Sequence, residues 1–241
     1  MAGHSQFKNI MYRKGAQDAK RAKAFAKLAR EIMVSVKTGS PDPQFNPRLR
    51  SALAAARSAN MPRDNVERAI KKGSGEDGGN HYEEMRYEGY GPGGIAFIAE
   101  SLTDNRNRTA SEIRSIFSRH GGQLGESGSV SFLFDHLGFL SFPKTIGDFE
   151  SVFEVVLASD ANNLEEDEDS YSITCSVQLF SHVRDHLMKT WGDPLEARLV
   201  WQPINAIECR GDQAQSIIKM IDALEDNDDV QSVYTNAHLI L

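Results

Sequence analysis

The 241-residue chain is 40% hydrophobic and 25% charged, a globular balance, and nowhere does it hold the roughly 18 consecutive apolar residues that a membrane-crossing helix needs. Its two cysteines, Cys175 and Cys209, stand alone in apolar, strand-like contexts, which excludes a disulfide framework and a zinc site and fits buried hydrophobes in a reducing compartment. The net charge of −7 would argue against a polyanion partner if it were evenly spread, but residues 1–75 hold 16 Lys and Arg against 5 Asp and Glu, while residues 76–241 hold 11 against 29. Such asymmetry describes a polyanion-binding module joined to an acidic body.

The first 30 residues are basic and acid-poor, as mitochondrial presequences are. Presequences are also Ser-rich and precede the fold. Here Ser5 is the only Ser and the basic segment continues as helix, so the segment does not read as a presequence. From about Ala16 to Thr38, Phe25, Leu28, Ala29, Ile32 and Val36 repeat at helical spacing, until Gly39, Pro41 and Pro43 end the run. A second helix spans about Pro47 to Ala59, capped by Asn46, with Leu49, Ala52, Leu53 and Ala56 inward. A third spans about Arg63 to Lys72, with Val66, Ala69 and Ile70 inward and Gly73 as C-cap. Residues 73–81, with four glycines, form a linker where the charge changes sign.

Beyond it the pattern alternates. Strands are expected at 84–90 and 95–102 around a Gly91-Pro92-Gly93-Gly94 turn, then a helix at 108–120. Strands near 130–134 and 138–142, a helix near 147–158, a strand at 171–177, a helix at 179–190 and a strand at 196–202 follow. Strand 204–209, helix 212–224 and strand 230–235 close the chain. The fold class is therefore α+β: a three-helix domain, then two α/β domains of the split β-α-β, ferredoxin-like kind.

The feature with most chemistry is a basic stripe. Lys20, Lys23, Lys27, Arg30 and Lys37 follow the three/four spacing of the first helix, interrupted only by Val34. Arg13, Lys14 and Arg21 thicken its start; Lys8 and His4, the latter in the polar arm Ala2–Gln6, precede it. Arg48, Arg50 and Arg57 on the second helix and Arg63, Arg68, Lys71 and Lys72 on the third add cations. A row of long cations on a rigid rod suits a line of phosphates, because each neutralised phosphate releases counterions. The alternatives are a solvated face or a dock for the chain's own acidic body; a merely solvated helix face normally mixes signs, and within this helix only Asp18 and Glu31 oppose the row. The stripe is expected to lie open to solvent, so that reversing Lys20, Lys23 and Lys27 to Glu leaves folding intact.

Other motifs carry less. Gly89–Gly94 sits between two strands and lacks the Lys and Ser/Thr of a phosphate-cradling loop, so it reads as a tight hairpin. Thr103–Thr109 leads from strand to helix; its Asp and Asn residues account for capping, while Arg106 and Arg108 are left to face an anion. Arg63–Glu67 and Asp64–Arg68 are i,i+4 pairs. His182 and His186 lie one turn apart, but Val183 stands where a zinc protease needs Glu. The acidic run Glu165–Asp169 reads as a solvated loop. With no Gly-x-Ser-x-Gly elbow and no cysteine beside a base, no catalytic set is found, and no enzyme, cofactor, metal or small-molecule substrate is expected.

Ala2-Gly3-His4-Ser5, Arg13-Lys14, Asp18-x-Lys20-Arg21-x-Lys23-x-Phe25, Lys27-Leu28-x-Arg30-Glu31-Ile32, Asn60-Met61-Pro62, Glu67-Arg68-Ala69-Ile70-Lys71-Lys72-Gly73, Tyr87–Gly94 and Thr103–Thr109 resemble the YebC/PmpR family along the whole chain. Phe7 departs from the usual Trp and Ser40 from a usual Gly; Phe keeps the aromatic surface. The resemblance implies three domains: residues 1–75, residues 82–132 sharing a domain with 204–241, and 133–203 inserted. It also implies a cytoplasmic DNA-binding transcriptional regulator, with the alternative of a ribosome-associated factor binding rRNA and relieving stalling at proline-rich stretches, as mitochondrial and some bacterial relatives do. The sequence carries no helix-turn-helix signature to separate the two.

Overall fold

The computed structural model describes residues 17–75 and 82–240; side chains of residues 17–20 lie outside that description. Its described part is mixed α+β, three helices followed by sheets with covering helices. By contacts the chain divides into two compact units. One takes residues up to 30, 78–135 and 201–241; the other takes 31–77 and 136–200.

Helix α1 (Gln17–Thr38) ends in the second unit, which also holds α2 (Pro47–Ser58) and α3 (Arg63–Gly73). The Asn46 side chain caps α2 by accepting from the Leu49 amide, while its own amide donates to the Ser35 and Ser40 carbonyls, tying α1 to α2. Ile32, Val36, Leu49, Ala52, Ala56 and Ala69 are buried, as their spacing indicates. Val34, which interrupts the basic row, is buried too. Gly73 is the last residue of α3 rather than its C-cap. A Cβ there would lie 2.7 Å from the Met33 carbonyl oxygen and 2.8 Å from Cβ of Val36, so glycine is required by close helix packing.

In the first unit, β1 (Glu83–Tyr90), β2 (Ala96–Thr103), β3 (Gln123–Leu124) and β9 (Val230–Thr235) form a sheet ordered β3-β1-β2-β9, with each neighbouring pair antiparallel. β1 and β2 pair from Glu83 opposite Thr103 to Tyr90 opposite Ala96, through a turn in which Gly93 and Gly94 have positive φ. The glycine-rich segment is thus the hairpin turn its composition indicates. Helices α4 (Arg106–Arg119) and α7 (Gly211–Glu225) bury Ile113, Phe117, Ile217 and Leu224 against Phe97 and Ala99 of β2. Strands β8 (Ile207–Arg210) and β10 (Ala237–Ile240) form a separate parallel pair.

The remaining sheet has β4 (Phe134–Pro143), β5 (Asn163–Glu166), β6 (Ser170–Ser176) and β7 (Glu196–Pro203) in the order β5-β6-β4-β7. With α5 (Phe149–Leu157) and α6 (Phe180–Trp191) the chain order is β-α-β-β-α-β, the split β-α-β arrangement expected from the strand rhythm. Its core contains Leu140, Phe142, Val152, Ile173, Val183 and Leu187.

The expected strand at 130–134 is instead a 3-10 turn, Ser131–Leu133, running into β4. The cause is Glu88 on β1. Its buried carboxylate accepts from the Val130 amide at 3.0 Å and the Ser131 amide at 2.9 Å, so those N–H groups make no ladder bonds. Burial alone would push the Glu88 carboxyl up, but the Val130, Gly128 and Ser131 amides and the Arg86 guanidinium together hold it below its usual range. Both amides donate to Oε2 and the Arg86 guanidinium donates to Oε1, so Glu88→Gln sets its NH₂ group against either the two loop amides or Arg86. The expected cost is about 2 kcal/mol at pH 7, read by urea melts. Because the folded carboxyl titrates low, wild type should lose this advantage as pH falls below about 4.

Cys175 and Cys209 are free and buried. Burial pushes the Cys175 thiol up to about 11 and raises that of Cys209. A thiol reagent at pH 8 should therefore find neither in the native protein and both after denaturation.

Candidate nucleic-acid interface

The candidate cations fall into three groups. His4, Lys8, Arg13 and Lys14 lie outside the described residues, as does the side chain of Lys20. Arg21 is exposed, with its guanidinium over the Phe25 ring.

The next two turns of α1 overturn an expectation. Nζ of Lys23 donates to the Asp226 carboxylate at 3.0 Å and to its backbone carbonyl at 3.1 Å. Nζ of Lys27 donates to the Glu225 carbonyl at 2.8 Å. Arg30 donates to the Asp228 carbonyl, reaches Oδ1 of Asp229 at 3.4 Å and lies over the Tyr82 ring. The middle of the stripe is therefore engaged by the protein's own acidic segment, with Lys23 still 40% exposed, rather than standing free in solvent. The physical reason lies at the end of α7. A helix C-terminus leaves its last carbonyls unpaired at the negative end of the dipole, and the last turn of α7 carries no basic residue of its own. Lys23 and Lys27 supply that charge from 198 to 203 residues away. Burial lowers the Lys27 ammonium pKa, and the charges of Glu225 and Asp228 oppose that shift. Reversing Lys20, Lys23 and Lys27 together is therefore expected to destabilise the fold through Lys23 and Lys27, contrary to what an open stripe would give.

Arg106 and Arg108 also face anions, but these are carboxylates of the same chain. Arg106 lies 3.5 Å from Glu83; Arg108 bridges Asp104 at 3.0 Å and Asp229 at 2.7 Å. Asp229 is the centre of this cluster and escaped the sequence reading. Only 5% of its side chain is exposed, and it accepts from the Thr109 hydroxyl at 2.6 Å and the Thr103 hydroxyl at 3.2 Å in addition to Arg108. Burial would raise the Asp229 carboxyl; the Thr109 hydroxyl and the two guanidinium groups hold it below its ordinary value instead. The Asn105 side chain caps α4 by accepting from the Arg108 amide, as the motif indicates.

In the second unit the cations are more open. Arg48 grips Glu31 through two hydrogen bonds of 2.6 and 3.1 Å. Arg63 pairs with Glu67 at 2.8 Å while remaining highly exposed, and Arg68 donates to the Asp64 carbonyl and the Asn65 side chain. Lys37 in the last turn of α1, Arg57 in the last turn of α2, and Lys71 and Lys72 in the last turn of α3 are all exposed. Long solvated side chains of this kind are accessible to phosphate.

Elsewhere, His182 lies 3.8 Å from Asp160, and the His182 and His186 rings are 6.4 Å apart. Among the described residues no group of three or more His, Cys, Asp and Glu side chains is placed to hold a metal ion. No helix of the described residues is long and apolar enough to cross a membrane.

Comparison with known proteins covers almost the whole chain. Residues 5–76 match a family model described as the TACO1/YebC protein N-terminal domain, and residues 82–237 match one described as the TACO1/YebC second and third domain. Among solved structures the chain is similar to the conserved hypothetical protein Aq1575 from Aquifex aeolicus, with 42% identity and a TM-score of 0.83, over 96% of this chain and 96% of that one.

Proposed function

The chain belongs to the TACO1/YebC family, and from that premise we propose that it is a cytoplasmic nucleic-acid-binding regulator, acting by binding rather than catalysis and taking DNA as its polymer. The observation that carries this reading is the set of exposed cations in the second unit: Lys37, Arg57, Lys71 and Lys72, with Arg63 and Arg68 exposed beside their local partners. They neutralise phosphates, an interaction that is strong at low salt and indifferent to sequence. Regulation of particular genes further requires sequence preference, from base edges or from duplex shape.

A second reading, a ribosome-associated factor contacting rRNA, draws support from the same set, because contacts to phosphate alone serve either polymer. Two measurements separate them. Fragments enriched from sheared genomic DNA are tested by gel shift against excess competitor DNA, and the protein is co-sedimented with large ribosomal subunits. A shift that survives competitor supports the DNA reading. Loss of the shift together with salt-resistant co-sedimentation replaces it with the ribosomal one. Failure of both would sink nucleic-acid binding altogether.

A further inference from the structure

Helix α5 buries Val152 and Val156 in the core of the β5-β6-β4-β7 sheet. That is a sufficient inward face for a nine-residue helix. Yet Phe149, Phe153 and Leu157, at i, i+4 and i+8, form a second apolar row, with 41%, 47% and 68% of their surface exposed. The Phe149 and Phe153 rings stack on one another, 6.2 Å between centroids, and the Phe149 ring leans on Tyr171. The row is therefore ordered by its own contacts. Asp148 fixes the start of the helix by accepting from the Ser151 amide and hydroxyl. Three large apolar side chains aligned on one short helix are more than the scattered exposed hydrophobics every protein surface carries.

The electrostatic setting identifies the occupant. Glu150 and Glu154, both exposed, run along the edge of the row. Residues 148–169 contain nine Asp and Glu and no Lys, Arg or His; Glu166 pairs with Lys144 at 2.9 Å and Asp160 lies 3.8 Å from His182, which leaves the segment acidic. That charge repels phosphate, so neither a nucleic acid nor an anionic membrane suits this face. A second copy of the same helix would bring carboxylate against carboxylate. What fits is an amphipathic helix that lays apolar residues on the row while its Lys and Arg side chains meet Glu150 and Glu154. We propose that α5 is a docking surface for a basic amphipathic helix of a partner protein, separate from the cations assigned to nucleic acid. A patch of three side chains makes a small interface, so the contact is weak and reversible.

The test uses the full chain and a fluorescent synthetic helix of about 14 residues built from Leu and Lys at helical spacing, followed by anisotropy. A scrambled peptide of the same composition, with no apolar face, is the control. The Leu/Lys helix should bind with micromolar affinity, and the scrambled one about ten-fold more weakly. Phe153→Ser with Leu157→Ser should weaken the helix about ten-fold. Glu150→Gln with Glu154→Gln should weaken it less and flatten its salt dependence. If the double serine variant proves unfolded by circular dichroism, Leu157→Ser alone, at the most exposed position, is read in its place. Equal binding of scrambled and amphipathic peptides, or equal binding by wild type and the serine variant, overturns the proposal. So does sedimentation equilibrium showing a wild-type dimer that Leu157→Ser converts to monomer, since the occupant would then be a second copy.

Discussion

Asp229→Ala is expected to lower the stability of the native fold by about 3 kcal/mol, the usual cost of removing one partner from a buried charge cluster. The carboxylate is 5% exposed and is held by Arg108, Arg30 and the Thr103 and Thr109 hydroxyls. Truncation leaves Arg30, whose side chain is 14% exposed, without its carboxylate partner, beside the Asp228 carbonyl and the Tyr82 ring. It also removes the Thr109 hydrogen bond that ties the first turn of α4 to the segment entering β9. Asp229→Asn keeps the shape and loses the charge, so it should cost roughly half as much. The folded carboxyl titrates below its usual value, so its contribution is complete above the unfolded value of about 3.9 and disappears as pH falls through the folded one. Urea melts of wild type and Asp229→Asn should therefore differ at pH 7 and converge toward pH 2. A constant difference across that range would mean the carboxylate is not ionised in the cluster.

That cluster marks the limit of what local pattern reveals. The helices of residues 17–73 were legible because apolar side chains at three and four spacing, Asn46 ahead of Pro47 and the prolines after Gly39 all act within a few residues. The β1–β2 hairpin was legible for the same reason, since Gly93 and Gly94 adopt the positive φ that the turn requires. Strands β3, β5 and β10 were not, being two to four residues long and defined by the partner they pair with. The turn at Ser131–Leu133 depends on a carboxylate 42 residues earlier. The basic stripe shows the same limit. Spacing placed its cations on one face, but a face that docks on a distant helix end and one that meets solvent have identical spacing. A signal was present: residues 222–229, Asp-Ala-Leu-Glu-Asp-Asn-Asp-Asp, close a helix with no base in its last turn. Such an end needs a cation from elsewhere in the chain.

Two charge reversals should separate the cations that hold the fold from those open to a partner. Lys37→Glu, Lys71→Glu and Lys72→Glu together alter exposed side chains, so the melting temperature should stay within about 2 °C of wild type. If each meets one phosphate, the slope of log affinity against log salt should fall by about three, and affinity at physiological salt by at least about 100-fold. Lys23→Glu with Lys27→Glu should behave in the opposite way. It sets two new carboxylates against the Glu225 and Asp226 carbonyls and the Asp226 side chain, at the negative end of α7. Stability should fall by about 2 kcal/mol, while the salt slope of the folded fraction changes little. Were Lys23→Glu with Lys27→Glu to flatten the salt slope and leave the melting temperature untouched, phosphate would be displacing the 225–229 segment from α1. The clasp seen here would then be the unbound arrangement of an interface that opens onto nucleic acid.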